Sequence, residues 1–324
     1  MAGRDPEAGT VGGAARTPNT RAGPLVVWRF TDGKPGHDSQ SQGLVEALRA
    51  QCVVEEHSIH VADCRAGLAA CLSGRITFGQ DLPDPALLIG AGHATHLPML
   101  NARRVRGGRV VVLMKPTLPT GWFDLCVIPM HDRPRRRENI LLTRGVLNRV
   151  RPAAQRDGCR GLILVGGPSA HVSWTGDAVA AQIAQLPARS TALQWTLTTS
   201  RRTPAGFLER LGAVPGLTIV PCDRTGPDWL PAQLAGAAQV WVTQDSVSMI
   251  FEALTSGAAV GLIDVPWRNP RDRVAQGVVQ LVREGLVTAF PAWQGGTAPQ
   301  PPAVPFDEAA RVAAWILEQW PDVG

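Results

Sequence analysis

Residues 239–263 read QVWVTQDSVSMIFEALTSGAAVGLI, and their apolar pattern changes period twice. Residues 239–243 form a short run rich in β-branched side chains, which predicts a buried strand. A helix is predicted over residues 246–256, and Gly257 follows it in the position where glycine commonly ends a helix. A second apolar run, residues 259–263, predicts another buried strand. Two buried strands joined by a helix indicate a parallel sheet covered on both faces.

The same alternation of apolar runs and helical stretches runs through both halves of the chain. Further strands are predicted at residues 25–30, 52–57, 86–89, 109–113, 125–128, 161–165, 192–198 and 217–220. Further helices are predicted at residues 39–50, 63–72, 95–106, 175–186, 204–211, 231–237, 270–284 and 306–320. The predicted fold class is therefore α/β, with two Rossmann-like domains that face each other across a cleft.

Local composition predicts where the chain divides. The N-terminal residues lack apolar periodicity, so we expect a disordered tail there. A polar, arginine-rich segment that contains Pro152 is typical of a linker between domains. The last helix lacks a basic polar face, so we expect it to pack on the first domain, with a membrane surface as the alternative. The resulting divisions are a tail at 1–23, a first domain at 24–147, a linker at 148–158, a second domain at 159–300 and a C-terminal helix at 301–324.

The composition is that of a globular protein, with 44% hydrophobic and 18% charged residues. The net charge is +5, and arginine clusters such as residues 133–137 favour phosphates or anionic lipid head groups. The chain has no tyrosine and no basic stripe interleaved with aromatic residues, which disfavours nucleic acid as a partner. The six cysteines lack metal-ligand spacing, so we expect free thiols in a reducing compartment. The expected location is cytoplasmic, with peripheral contact at the inner face of a membrane left open.

The turn after the first strand, residues 31–38, carries side chains suited to catalysis. His37 or Asp32 is a candidate base for an acceptor hydroxyl, and the Lys34 ammonium is suited to neutralising a phosphate. Gly36 allows a ligand to approach the backbone. A purely structural role for His37 is the alternative.

Two further strand ends of the first half carry candidate ligand residues. Gly90 and Gly92 form a Gly-x-Gly turn before a helix, and His96 follows it. Lys115 follows the strand at 109–113, and it and Lys34 are the two lysines of an otherwise arginine-rich chain. We do not expect a metal, because no carboxylate or cysteine completes a ligand set near His96.

A glycine-rich turn opens the second half. Gly166, Gly167 and Ser169 follow the first strand of this half, as in turns whose backbone amides hold a phosphate. The turn is not a Walker A loop, and an ordinary tight turn is the alternative.

The helix start within residues 239–263 is the most specific of these signals. Asp245 and Ser246 lie at the end of the strand, and Ser246 is expected to cap the helix. Ser248 and the first helical amides are suited to donating hydrogen bonds to a diphosphate. Glu252 lies one to two turns further along, where it is suited to accepting hydrogen bonds from ribose hydroxyls. A capped amphipathic helix with a solvated glutamate is the alternative.

These segments together resemble the Elm family of mitochondrial-fission-like proteins. The similarity runs from about Val26 to Ile263, and its blocks are residues 31–37, 90–96, 113–116, 143–148, 166–169, 199–204 and 245–249. The layout is more distantly similar to GT-B glycosyltransferases of the peptidoglycan N-acetylglucosaminyl type. Asp245 and the spacing from serine to glutamate depart from that pattern.

The resemblance implies a GT-B-like fold, with an acceptor domain followed by a nucleotide-sugar donor domain. It implies metal-independent transfer of a sugar to a hydroxyl of a cell-envelope or other glycan or glycolipid, with no cofactor besides the nucleotide-sugar substrate. The implied donor-binding residues are Gly166, Gly167, Ser169, Ser200, Arg201, Arg202, Asp245, Ser246, Ser248 and Glu252. The implied acceptor-binding residues are Gly36, Gly90, Gly92, His96 and Lys115, and the implied catalytic residues are His37, Asp32 and Lys34.

Two other functions stay open at this point. An epimerase of nucleotide sugars would need several carboxylates in the cleft, for which Asp32, Asp38 and Asp245 are the candidates. A non-enzymatic adaptor that recruits a division protein to a membrane would need a sizeable exposed apolar patch.

Overall fold

A computed structural model describes residues 23–64, 75–152 and 156–323. Residues 1–22 of the expected tail and most of the helix expected at 63–72 lie outside these residues.

The first domain is built on a six-stranded parallel sheet in the order β2-β1-β3-β4-β5-β6. Its strands are β1 (Leu25–Thr31), β2 (Val54–His60), β3 (Leu87–Ala91), β4 (Arg109–Leu113), β5 (Leu125–Pro129) and β6 (Ile140–Thr143). Its described α-helices are α1 (Pro35–Arg49) and α2 (His96–Arg106). The strand order reverses at β1, which opens a crevice between the loops after β1 and β3.

The second domain repeats this design with a parallel sheet in the order β12-β11-β10-β7-β8-β9. Its strands are β7 (Asp157–Leu164), β8 (Gln194–Thr198), β9 (Leu217–Ile219), β10 (Ala237–Thr243), β11 (Ala259–Ile263) and β12 (Thr288–Ala289). Its described helices are α3 (Gly176–Arg189), α4 (Phe207–Leu211), α5 (Trp229–Gly236), α6 (Val247–Ser256), α7 (Arg273–Arg283) and α8 (Phe290–Gln294). Here the order reverses between β7 and β10, so the loops after these strands meet. The predicted unit of β10, α6 and β11 is confirmed.

The C-terminal helix α9 (Glu308–Gln319) crosses back onto the first domain. Val312, Ala313 and Ile316 are fully buried in the same cluster as Leu44 and Leu48 of α1. This confirms the expectation that the helix packs on protein. This contact also attaches the C-terminal helix to the first domain.

The segment predicted as the linker between the domains is largely buried where it leaves the first domain. The Asn148 amide donates to Thr255 Oγ1 in α6 over 3.1 Å, and Val150 is buried beside it. A Cβ at Gly43 of α1 would lie 2.1 Å from the carbonyl oxygen of Asn148. The crossing between the domains is therefore packed against both of them, and β7 begins at Asp157, inside the predicted linker.

Some boundaries differ from the predicted ones. Helix α1 begins at Pro35 rather than at residue 39, because proline at the first helical position has a helical φ and lacks an amide hydrogen that would be left unbonded. The strands β6 and β12 were not predicted; each is short and only partly buried at the edge of its sheet. The described cysteines are free thiols; Cys64 and Cys126 are buried, and Cys159 is exposed.

Candidate active site

One cleft of about 1170 Å³ is bounded by both domains. The first domain contributes the start of α1, including Gly36 and Asp38. The second domain contributes the loops after β8 and β9 and one side of α6. These are carboxyl ends of strands, where open α/β sheets bind ligands.

In the first domain, Asp32 and His37 form a hydrogen-bonded pair. His37 Nδ1 lies 2.9 Å from Asp32 Oδ2, and Lys34 Nζ lies 3.7 Å from the same oxygen. Burial alone would raise the pKa of Asp32, but the hydrogen bonds from His37 and the Lys34 amide outweigh it, so the pKa is lowered. A carboxylate therefore orients the imidazole, although His37 itself is not among the residues that line the large cleft.

The loops after β3 and β4 meet the turn that carries His37. Gly92 has φ +85°, and a Cβ there would lie 2.4 Å from His37 Cε1, so only glycine fits against the imidazole. The Gln40 amide of α1 donates to Met114 Sδ over 3.3 Å, and Lys115 follows with an exposed side chain. The structure thus brings His37, Gly92 and the Lys115 loop together at one edge of the sheet.

His96 and Gly90 have structural surroundings. The His96 ring is buried against Phe123, and burial lowers its pKa to about 4, with nearby His93 adding to the effect. Gly90 is buried in β3, and a Cβ there would meet Thr95 and Met99. Both residues lie beneath the crevice rather than on its surface.

In the second domain, α6 presents Ser246, Ser248 and Glu252 to the cleft. Ser246 occupies the position before the helix, but its side chain makes no capping hydrogen bond. Within the described residues, the Glu252 carboxylate has no hydrogen-bond or ion-pair partner. Burial raises the pKa of Glu252 to about 7. The helix start therefore offers a hydroxyl and a carboxylate that the described residues leave without a partner.

The backbone amides of the glycine-rich turn after β7 are hydrogen-bonded to side chains at the end of β10 and just after it. The Gly166 amide donates to Thr243 Oγ1 over 2.7 Å, and the Gly167 amide donates to Asp245 Oδ2 over 3.0 Å. These two amides are consequently occupied by protein oxygens rather than open to a phosphate. Ser169 accepts from the His171 amide and, like the two glycines, does not line the cleft.

Two adjacent arginines have different surroundings. Arg202 donates to Asp245 Oδ2 over 2.9 Å and to the Gly167 carbonyl over 3.0 Å, so it ties the loop after β8 to the turn after β7. Arg201 also lines the cleft, but in the described part of the chain its guanidinium has no hydrogen bond or ion pair. Ser200 lines the cleft as well, and its hydroxyl accepts from the Arg202 amide.

Sequence reasoning missed two arginines of the cleft. Arg29 on β1 donates to Glu56 over 2.8 Å, and a charged side chain in a buried strand run is the signal that could have found it. Arg149 connects Glu46 of α1, at 3.0 Å, to Asp228 before α5, at 3.1 Å. Burial would lower the pKa of Arg149, but these two carboxylates outweigh it and raise it. No local pattern distinguishes Arg149 from the other arginines of the predicted linker.

The described residues contain no cluster of three or more histidine, cysteine or acidic side chains that could hold a metal ion. Among the same residues, no helix combines the length and the hydropathy that crossing a bilayer requires.

The architecture is found in solved proteins that share little sequence with this chain. A Listeria monocytogenes protein described as a UDP-N-acetylglucosamine 2-epimerase matches at 10% identity and a TM-score of 0.53, over 93% of this chain and 90% of that one. A second UDP-N-acetylglucosamine 2-epimerase matches at 14% identity and a TM-score of 0.50, over 93% and 88%. MurG of Acinetobacter baumannii matches at 16% identity and 0.46, over 82% and 85%. The likeness to the first two shows the fold, two Rossmann-like domains of GT-B type.

No curated protein matches this sequence significantly. The family model described as mitochondrial fission ELM1 matches residues 35–320, which include α1, α9 and every residue that lines the cleft except Arg29. The chain belongs to the mitochondrial fission ELM1 family.

Proposed function

We propose that this protein is a GT-B-type glycosyltransferase that moves a sugar from a nucleotide-activated donor to a hydroxyl of a glycan or glycolipid. The observation that carries the proposal is the Glu252 carboxylate on α6, which has no partner in the described part of the chain and lies inside a cleft shared by two Rossmann-like domains. A partly buried carboxylate without partners is costly in the empty protein. Ribose hydroxyls would supply the missing hydrogen bonds.

The rest of the donor would lie along the start of α6. Ser246 and Ser248 and the positive end of the helix are suited to the diphosphate. Arg201 also lines the cleft, and its guanidinium makes no hydrogen bond or ion pair with the residues that the structure describes, so it would offset the charge of the leaving nucleoside diphosphate. We propose Gly166, Gly167, Asp245 and Arg202 as the framework that fixes these groups. Gly167, Asp245 and Arg202 hydrogen-bond to one another, and the Gly166 amide donates to Thr243.

Proton transfer would come from the first domain. The Asp32 carboxylate holds Nδ1 of His37, which leaves Nε2 as the atom that accepts a proton from an acceptor hydroxyl. Lys34 and Lys115 are exposed at the same edge of the sheet and would face phosphate groups of donor or acceptor. Neither a metal nor a cofactor enters this scheme.

We also propose peripheral contact with the anionic inner face of a membrane. Trp122 and Met130 are exposed to 48% and 47%, and Arg135, Arg136 and Arg137 are exposed nearby in sequence. A Cβ at Gly121 would lie 3.9 Å from a nitrogen of Arg137, so the tryptophan turn and the arginine run are neighbours. Exposed aromatic and cationic side chains together favour an anionic lipid surface.

Calorimetric titration with UDP, GDP, ADP, dTDP and CMP tests the nucleotide part of the proposal. Binding of at least one nucleotide, weakened by Glu252→Gln, is expected. Incubation of the matching nucleotide sugar with and without acceptors then separates the reaction classes. Sugar transfer supports the transferase, an isomerised sugar without acceptor supports the epimerase, and a folded protein that binds no nucleotide supports the adaptor.

A further inference from the structure

A second pocket, of about 280 Å³, lies beside the large cleft between the loop after β5 and the helices α6 and α7. It touches Val247 and Phe251 of α6, whereas the large cleft touches Ser248 and Glu252 on the neighbouring stripe of the same helix. The two cavities share no lining residue. This pocket, here called the α7 pocket, is therefore distinct from the candidate active site.

The floor of the α7 pocket is apolar. Phe251, Val278 and Leu281 are buried there, and Val247 is half-buried. An apolar group of a ligand would bind favourably on this floor, because the contact removes apolar surface of both the ligand and the protein from water.

The rim of the pocket carries two uncommitted cations from different domains. Arg133 and Arg273 are both exposed, and neither guanidinium has a hydrogen bond or ion pair among the described residues. Arg144, in contrast, is paired with Glu284 and lies 5.4 Å from the centre of the Phe306 ring. The positive charge of Arg144 is thus neutralised, and the charge of the other two is available.

The loop after β5, which carries His131 and Arg133, has an unusual backbone conformation. Arg133 has φ +44°, in the left-handed region that non-glycine residues rarely adopt. His131 is half-buried between the domains, and its ring has no hydrogen bond within the described chain. Burial lowers the pKa of His131, with Arg273 adding to the effect and Asp132 opposing it. The loop therefore presents a neutral imidazole and a guanidinium to the pocket.

We propose that the α7 pocket binds a phosphate ester of an apolar alcohol. Two guanidinium groups on separate elements suit an anion with several oxygens, because each group can donate two parallel hydrogen bonds. The apolar part of the ester would lie on Val278 and Leu281. The volume of about 280 Å³ is slightly below the usual range of small-molecule sites, which fits one phosphate and a short apolar group rather than a nucleotide sugar. The proposal does not depend on the transferase assignment.

Calorimetry with the full chain and hexyl phosphate tests the site. Saturable binding is expected, and inorganic phosphate and hexanol should each bind more weakly because each lacks one half of the ligand. The double variant Arg133→Gln with Arg273→Gln should weaken binding by about tenfold or more. Arg283→Gln, an exposed arginine on the same helix outside the pocket, is the matched control and should leave binding unchanged.

Competition provides a test that needs no variant. Saturating UDP should leave the affinity for hexyl phosphate unchanged, and displacement by UDP would overturn the assignment to a separate pocket. Absence of binding, or equal binding by wild type and the double variant, would also overturn it. Displacement of hexyl phosphate by vesicles containing phosphatidic acid would assign the site to a lipid head group, and its persistence would assign the site to a soluble ester. Both of these results support the site.

Discussion

His37 Nδ1 lies 2.9 Å from Asp32 Oδ2, so a nearly buried carboxylate fixes the imidazole at the switch point of the first sheet. The close approach of Gly92 holds the other side of the ring. A histidine constrained on two sides is suited to proton transfer in one direction, toward whatever faces its Nε2.

Replacing this histidine should affect catalysis more than folding. We expect His37→Gln to lower kcat by about 10²–10⁴-fold, the usual contribution of a general base, with nucleotide affinity unchanged. His93→Gln, an exposed histidine after β3, is the matched control. Equal kcat for His37→Gln and the wild type would contradict the role of His37 as the base.

Glu252→Gln should change how stability depends on pH. The pKa of Glu252 is raised from 4.5 to about 7, so the folded state binds the proton more tightly than the unfolded state. This contribution to stability is fully present below pH 4.5 and is lost as the pH rises through 7. The unfolding free energy of the variant minus that of wild type, measured in urea, should therefore be about 2 kcal/mol more favourable to the variant at about pH 8 than at about pH 5. The exposed Glu318→Gln should show no such gain, and a parallel pH dependence for Glu252→Gln and wild type would contradict the burial of this charge.

Replacing Arg149 should affect the relative position of the two domains more than the stability of either domain. It bridges Glu46 and Asp228, but Asp228 is well exposed, so Arg149→Gln should cost only about 1 kcal/mol of unfolding free energy. Nucleotide affinity should fall by about threefold to tenfold, because the ion pairs that connect the two walls of the cleft are lost. Arg210→Gln breaks an exposed ion pair with Asp177 inside the second domain and serves as the control. An equal effect of the two variants on nucleotide affinity would contradict a role for Arg149 in positioning the domains.

Arg201 and Arg202 should have separable effects. Arg201→Gln should leave the melting temperature unchanged and weaken nucleotide diphosphate binding by about tenfold, the value of one charge-assisted contact. Arg202→Gln should lower stability by about 2 kcal/mol, because it leaves the fully buried Asp245 carboxylate without its cationic partner. Thermal unfolding and calorimetry on both variants check this, and a reversed pattern would contradict the division between ligand contact and framework.

The packed crossing between the domains predicts opposite outcomes for two glycines of α1. Gly43→Ala would place a Cβ 2.1 Å from the Asn148 carbonyl oxygen, so it should lower the unfolding free energy by about 2–3 kcal/mol. Gly36→Ala meets nothing within 4 Å and should leave stability unchanged or slightly raised. Equal stability of the two variants in denaturant titration would show that the crossing adjusts without strain.

The sequence was informative where periodicity is strong and local. The unit of β10, α6 and β11 could be predicted because its strands are continuous apolar runs and its helix ends at Gly257, which has φ +77°. The packing of α9 on the first domain followed from its polar face. The strand β6 could not be predicted, since its four residues are short for a strand and only partly buried.

The candidate site was predictable by residue type but not by partner. His37 and Asp32 could be named from a glycine-rich strand end, and Glu252 from its spacing along a helix. The sequence alone could not show that Thr243 and Asp245 accept from the amides of Gly166 and Gly167, because these contacts join segments nearly 80 residues apart. The ion pairs of Arg149 with Glu46 and Asp228 could not be predicted for the same reason, because the partners are distant in sequence.

The most direct test of the central claim is a crystal structure of the protein with the nucleoside diphosphate that binds best in calorimetry. Ribose hydroxyls are expected within hydrogen-bond distance of the Glu252 carboxylate, with phosphate oxygens facing Ser246, Ser248 and Arg201. A nucleotide bound away from α6, or a cleft left empty at saturating nucleotide, would contradict it.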